Sequence, residues 1–250
     1  MRPTLFVAAM VLSAFLLVVP VSPQTSVQST PQALKATYDQ AMQAKNWPGA
    51  IAAAQQLVDA NATSANLLLL ANAQLYATTG QSDTGAMETA LATYDLAIVA
   101  AQREKPAQGQ PDQAQPDQAW KDGLSKIYVG KGNALLKLKR TAEAIDSYNH
   151  SAELSSNPGL AYFNVCAVLY NIGDTANSAA ACRKCVQADP TRANAWFVLG
   201  SDLFADAKID AHGKVSITAE TRQALEKYLE LAPDGPHAAD TKAMLQMAVQ

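Results

Sequence analysis

Residues 125–158 read SKIYVGKGNALLKLKRTAEAIDSYNHSAELSSNP, and residues 159–192 read GLAYFNVCAVLYNIGDTANSAAACRKCVQADPTR. The two stretches align without a gap, and a third copy follows the same register. A spacing of 34 residues relates three sets of positions: Tyr128, Tyr162 and Trp196; Gly132, Cys166 and Gly200; Leu135, Leu169 and Leu203. Three registers that share one period indicate an internal repeat.

Each copy divides into two predicted helices. On the first helix, a small residue such as Gly132 lies between bulky ones, so that the second helix can approach closely. On the second helix, Ala144 and Tyr148 lie four residues apart, and Ala90 and Tyr94 repeat that spacing nearer the N-terminus. A single helix pair cannot bury its apolar face, so several pairs are expected to stack.

This pattern resembles the tetratricopeptide repeat (TPR) family, most clearly over residues 125–200. The closing stretch, residues 227–239, is also similar to the C-terminal portion of exported bacterial TPR proteins. The resemblance implies an all-α fold: a right-handed helical solenoid of antiparallel helix pairs with a C-terminal closing helix. It also implies a surface that binds proteins or peptides.

Composition shifts predict the organisation of the chain. Residues 31–104 are expected to form degenerate N-terminal TPR-like pairs, and 105–118 a Pro- and Gln-rich linker that cannot bury a face. Residues 119–250 are expected to form the regular array. That array contains an inserted hairpin at 207–218, where apolar and polar residues alternate around Gly213, and ends in a closing helix.

The first 24 residues predict export. Arg2 is followed by an apolar run from Leu5 to Val19, and Pro20 and Pro23 then interrupt the chain. This order is typical of a secretory signal peptide, and the run is short for a spanning helix. The alternative is a retained N-terminal anchor, in which case the protein would be held at a membrane. Either way, a periplasmic or cell-envelope location is predicted.

Charge and motifs argue against several functions. The formal net charge is −3 and no basic patch is evident, so nucleic acid is not expected as a partner. The three histidines, His150, His212 and His237, are isolated in sequence, and no phosphate loop or nucleophile motif occurs. No enzyme activity, metal or cofactor is therefore expected.

The cysteines permit three interpretations. Cys166 and Cys182 are each eight residues from Asp174, where two helices reverse, so they are expected to face one another within disulfide range. Alternatively, they and Cys185 simply pack as small apolar residues. A redox role for Cys182 and Cys185 is the third interpretation, although a mid-helix position lacks the helix N-terminus that lowers a thiol pKa.

A partner-binding groove is predicted on the first helices of the pairs. Apolar and aromatic residues recur there at the repeat period, and asparagines beside them offer amide groups to a bound backbone. The predicted groove residues are Val129, Asn133, Leu136, Phe163, Asn164, Tyr170, Asn194, Phe197 and Phe204. The alternative is that the chain fills this groove itself.

These features together predict a non-enzymatic protein-interaction or scaffold module of the cell envelope, which binds a peptide or helix of a protein partner in its concave groove. The alternative function is a structural component of an envelope assembly, anchored by an uncleaved N-terminal helix.

Overall fold

The computed structural model describes residues 30–78, 83–106 and 114–248. Helices account for most of these residues. Their bounds are α1 Pro31–Gln43, α2 Trp47–Ala60, α3 Ser64–Ala77, α4 Thr84–Arg103, α5 Ala114–Lys137, α6 Thr141–Leu154, α7 Gly159–Asn171, α8 Thr175–Ala188, α9 Ala193–Phe204, α10 Ala219–Leu231 and α11 Ala238–Met247. The predicted export segment, residues 1–24, lies outside the described residues.

The helices stack in sequence order. Each packs against the next, and contacts between alternate helices, such as α3 with α5 and α7 with α9, join neighbouring pairs. Contacts that stay between neighbours along the chain are the mark of a solenoid. The predicted all-α fold of stacked helix pairs is confirmed.

Three helix pairs turn in the same way. Lys45, Lys139 and Gly173 have positive φ values of 54°, 61° and 79°. In each case the next residue donates its N–H to a carbonyl five residues back, as Asp174 does to Leu169 at 3.0 Å. This is the Schellman ending of a helix, and it reverses the chain within two residues. The shared geometry places the degenerate pair α1–α2 in register with the regular repeats.

The two helices of a pair meet where one buried residue of the first helix faces one buried residue of the second. In the three pairs above, these residues lie seven positions before and nine positions after the residue with positive φ. In four of the five pairs one side is small where the other is large, and in α7–α8 two cysteines face each other instead. The buried pairs are Tyr38 with Ala54, Ala71 with Tyr94, Gly132 with Tyr148, Cys166 with Cys182, and Gly200 with Leu225. A Cβ on Gly132 would lie 2.5 Å from the Tyr148 ring, so the helix approach there depends on glycine. The size rule is therefore met by different residues in α1–α2, α3–α4, α5–α6 and α9–α10, and the disulfide takes its place in α7–α8.

Two stretches depart from simple helix pairs. α5 begins at Ala114, inside the predicted linker 105–118, because Ala and Gln favour helix and Pro116 falls in the first turn, where proline is tolerated. Between α9 and α10 lies a hairpin of β1 Lys208–Ile209 and β2 Val215–Ser216, paired antiparallel. Val215 also bridges to Ala248 after α11, which ties the closing helix to the hairpin.

Candidate functional site

The candidate site lies along α5, α7 and α9, the first helices of three successive pairs. The repeat period places Val129, Phe163 and Phe197 at equivalent positions on these helices. Two cavities open between them. One lies between α5 and α7 and has a volume of about 560 Å³; the other lies between α7 and α9 and has a volume of about 360 Å³. Because α7 borders both, they form neighbouring parts of one surface.

We call the larger cavity the serine pocket. Its lining combines hydroxyl groups, two cations and a few apolar side chains: Asp122, Ser125, Lys126, Val129, Ser151, Ser155, Ser156, Asn157, Leu160, Ala161 and Arg192. Leu160 is 46% exposed at its edge. Of the predicted groove residues, Val129 lines this pocket and is half-buried.

The turn between α6 and α7 is held by Asp122 of α5. The Asp122 carboxylate accepts the backbone N–H of Ser156 at 2.7 Å and its hydroxyl at 2.8 Å. The backbone hydrogen bond, followed by the hydroxyl bond, lowers the pKa of the Asp122 carboxyl below its ordinary value. The Asp122 carboxylate is therefore held in place and forms part of the wall of the serine pocket.

Arg192 separates the two cavities. Its guanidinium lies 5.5 Å from the centre of the Phe163 ring, and its Nη2 pairs with Asp189 at 2.8 Å. Its Nε is buried and has no hydrogen-bond partner among the described residues. A buried N–H without an acceptor is costly, so the packing of the guanidinium over Phe163 leaves this donor unsatisfied.

We call the smaller cavity the phenylalanine pocket. The predicted groove residues Phe163, Tyr170, Asn194 and Phe197 line it, together with Ala167, Asn171, Val198, His237 and Asp240. Phe163 and Tyr170 are half-buried and Asn194 is exposed. The Tyr170 hydroxyl lies 3.5 Å from the Ser201 hydroxyl, which points the ring across to α9.

Phe197 is partly covered by the chain itself. Its ring stacks on the His237 ring, with centroids 3.9 Å apart and planes 6° apart, and only 6% of the residue is exposed. The Tyr228 hydroxyl accepts the backbone N–H of His237 at 2.9 Å and holds that residue in place. The alternative that the chain fills part of the groove thus applies at Phe197, through the start of α11.

The remaining predicted groove residues line neither cavity. Leu136 is half-buried against the main core. Asn133 is exposed, and its Oδ1 accepts the Tyr148 hydroxyl at 2.7 Å, so its amide is already oriented by the neighbouring helix. Asn164 and Phe204 are half-buried.

Three residues that line the two cavities were not predicted from the sequence: Lys126, Arg192 and His237. Lys126 precedes a predicted groove position by three residues, so helical spacing alone would place it on the same face. Arg192 and His237 lie in turns, and no helical period predicts where a turn residue points.

The cysteines lie behind this surface. Cys166 and Cys182 form a disulfide with Cα atoms 5.1 Å apart. Cys185 is a buried free thiol that donates to the Gly159 carbonyl at 3.3 Å, and burial raises its pKa to about 11. Because a protonated thiol is a poor nucleophile, this arrangement argues against the redox interpretation.

The described residues contain neither a cluster of metal ligands nor a membrane-spanning helix. No group of three or more His, Cys, Asp or Glu side chains there has an arrangement that would hold a metal ion. Likewise, none of the helices within the described ranges has the length and apolar character needed to cross a membrane.

Comparison with known proteins identifies the repeat. Residues 125–158 match the family model described as tetratricopeptide repeat. The chain is similar in fold to the crystal structure of MamA protein, with 18% identity, 89% of this chain and 98% of that one covered, and a TM-score of 0.53. It is similar to YrrB, described as "a TPR protein with an unusual peptide-binding site", with 14% identity, coverage of 87% and 94%, and a TM-score of 0.52.

A third similar structure is MamA 41-end from Desulfovibrio magneticus RS-1, with 14% identity, coverage of 82% and 97%, and a TM-score of 0.53. At these identities the similarity concerns the fold. No curated protein sequence matches the chain. The predicted TPR resemblance is confirmed by the repeat at residues 125–158 and by the fold of the similar structures.

Proposed function

We propose that this TPR chain is a non-enzymatic interaction module that holds an extended peptide segment of a partner protein along α5, α7 and α9. The observation that carries this proposal is the pair of adjoining cavities, which share α7 and combine apolar walls with polar groups. Ligand sites commonly have this mixed lining, in which apolar area gives affinity and a few polar groups fix orientation. YrrB, which has a similar fold and an unusual peptide-binding site, supports the same class of function.

The partner is inferred to be extended rather than helical. Arg192 projects between the two pockets over Phe163, and His237 covers Phe197, so the surface is divided into two short recesses. A helix requires an uninterrupted groove for side chains one turn apart, whereas an extended chain places alternate side chains in separate pockets.

The test is selection from a random peptide display library, followed by fluorescence anisotropy with the selected peptides. Phe163→Ala and Leu160→Ala are each expected to weaken binding by about tenfold, since an anchoring side chain is typically worth 1–2 kcal/mol. The matched control is Ile172→Ala, because Ile172 ends the same helix, is 59% exposed and lines neither cavity. Failure to select any peptide, or equal weakening by the control, would contradict the proposal.

We further propose that the protein is exported and acts in the periplasm or cell envelope. The basic start and apolar run of residues 1–24 support this, and a disulfide is stable mainly in oxidising compartments. Cell fractionation with N-terminal sequencing distinguishes the two forms. A soluble chain that begins near residue 24 supports the exported module, whereas a membrane-bound chain that keeps its first residues supports the anchored structural component.

A further inference from the structure

The floor of the serine pocket is polar, unlike the equivalent place one repeat later. Ser125 and Ser151 are 5% and 1% exposed, and their hydroxyl oxygens lie 2.8 Å apart. The positions 34 residues on are Gly159 and Cys185, which supply no hydroxyl. The polar floor therefore belongs to this cavity and is not a general property of the repeat.

Two cations with unused donors border the same cavity. The Nη2 of Arg192 pairs with Asp189, whereas its buried Nε has no acceptor among the described residues. Lys126 lies one turn along α5 from Asp122, whose pKa its charge helps to lower, and it forms no ion pair within 4.0 Å among the residues that the structure describes. Unlike Lys131 on the same helix, which pairs with Asp95 at 2.8 Å, Lys126 keeps its ammonium available.

Asp122 is the one carboxylate in the lining, and its oxygens are already engaged. They accept two hydrogen bonds from Ser156 and one from the Gln118 side chain at 3.0 Å. The start of α7 is adjacent, and the residue before its first turn, Pro158, supplies no side-chain cap. The positive end of the helix dipole thus adds to the two cations.

From these contacts we propose that the serine pocket receives an acidic side chain, Asp or Glu, from the interior of the bound peptide. Its carboxylate pairs with the partly exposed Arg192 guanidinium and with the exposed Lys126 ammonium. The half-buried Val129 and the exposed Leu160 flank the cavity, so the neighbouring peptide residues are inferred to be apolar. This inference rests on the proposed peptide-binding function and names the class of peptide.

The experiment repeats the selection from the random peptide library with the full-length protein and compares the composition of the selected peptides. Wild type is expected to enrich Asp and Glu at one position, beside apolar residues. Lys126→Gln and Arg192→Gln are expected to lose that enrichment. Lys208→Gln, an exposed lysine on β1 far along the chain, is the matched control and is expected to keep it.

A selected peptide is then remade with Gln in place of the acid. Its affinity is expected to fall about tenfold or more for wild type, since a charge-assisted hydrogen bond is worth about 1.5–3 kcal/mol. The fall is expected to be smaller for Lys126→Gln, which keeps only the Arg192 contact. Because Lys126 is exposed, that variant is expected to fold even if Arg192→Gln does not; thermal melts check both.

The outcomes separate the two proposals. Peptides selected without acidic enrichment, or enrichment that survives in Lys126→Gln, overturn the acidic-peptide inference and leave peptide binding intact. If no peptide is selected by any form of the protein, both are overturned.

Discussion

At the scale of single residues, two glycines of α5 have opposite roles. Gly132 faces the Tyr148 ring, whereas a Cβ on Gly123 would meet no atom within 4 Å. Gly132→Ala is expected to destabilise the fold by roughly 1–3 kcal/mol through overpacking. Gly123→Ala is expected to stabilise it by about 0.5–1 kcal/mol, because alanine restricts the unfolded chain and favours helix. Denaturant unfolding measures both, and equal signs for the two variants would contradict the packing described for Gly132.

Asp202 is an acid at an apolar position. It is 3% exposed, its two oxygens have no hydrogen-bond partner within the described chain, and the equivalent residues in earlier repeats are Val168 and Ala134. Burial raises the pKa of the Asp202 carboxyl, and the nearby Ser178 opposes this only in part. The structure therefore favours the protonated form.

The raised pKa of Asp202 determines how this residue affects stability as the pH changes. As pH rises above the ordinary Asp pKa of 3.8, the unfolded chain loses this proton more readily than the folded one, so the contribution of Asp202 to stability falls. Asp202→Val is expected to remove the fall and to gain roughly 1–3 kcal/mol at neutral pH, with little gain near pH 3. Urea unfolding across this range measures the difference, and a gain that is independent of pH would show that folding does not raise the pKa of Asp202.

At the scale of elements, the pair α7–α8 replaces a size match with a covalent bond. Neither Cys166 nor Cys182 fills the space of the tyrosine found in α5–α6, and the disulfide joins the helices instead. Cys166→Ala/Cys182→Ala is expected to lose about 3 kcal/mol of unfolding free energy, the value for closing a loop of this length. Cys185→Ala, which leaves the disulfide, is the control and is expected to cost less.

Transferring the glycine–tyrosine pair of α5–α6 to α7–α8 tests the size rule directly. Cys166→Gly/Cys182→Tyr installs the Gly132–Tyr148 pair at the equivalent positions of α7–α8. It is expected to recover part of the stability lost in the double alanine variant, because the tyrosine ring fills the space between the helices. A grafted pair that is less stable than the alanine pair would mean that α7 and α8 are spaced differently from α5 and α6.

The sequence predicted these elements well where the period was regular. The turn at Gly173 and the core positions of α5–α9 follow from spacing, because one residue's place in a repeat determines its burial. The start of α5 and the stacking of His237 on Phe197 could not be predicted from this spacing. The first depends on local helix preference in a Pro-containing segment, and the second depends on how α11 docks after a turn at Gly235. Neither is encoded in the 34-residue period.

At the scale of the whole molecule, the core divides unevenly. One cluster of buried residues runs from α3 to the start of α11, and a smaller one joins α1, α2 and one face of α3. The smaller cluster consists mainly of alanines around Tyr38: Ala41, Ala50, Ala53, Ala54, Leu70 and Ala73. Alanine buries little apolar area, so α1–α2 contributes less stability per residue than the pairs that follow.

In a solenoid, an end pair with a weak interface opens before the rest. Native-state hydrogen exchange is therefore expected to give α1–α2 amides a lower opening free energy than those of α5–α8. Reducing the Cys166–Cys182 disulfide is expected to lower protection in α7 and α8, less in α5 and α9, and not at all in α1–α2, since each pair contacts only its neighbours. Uniform loss of protection along the chain would show instead that the array unfolds as one cooperative unit, with the disulfide stabilising every pair equally.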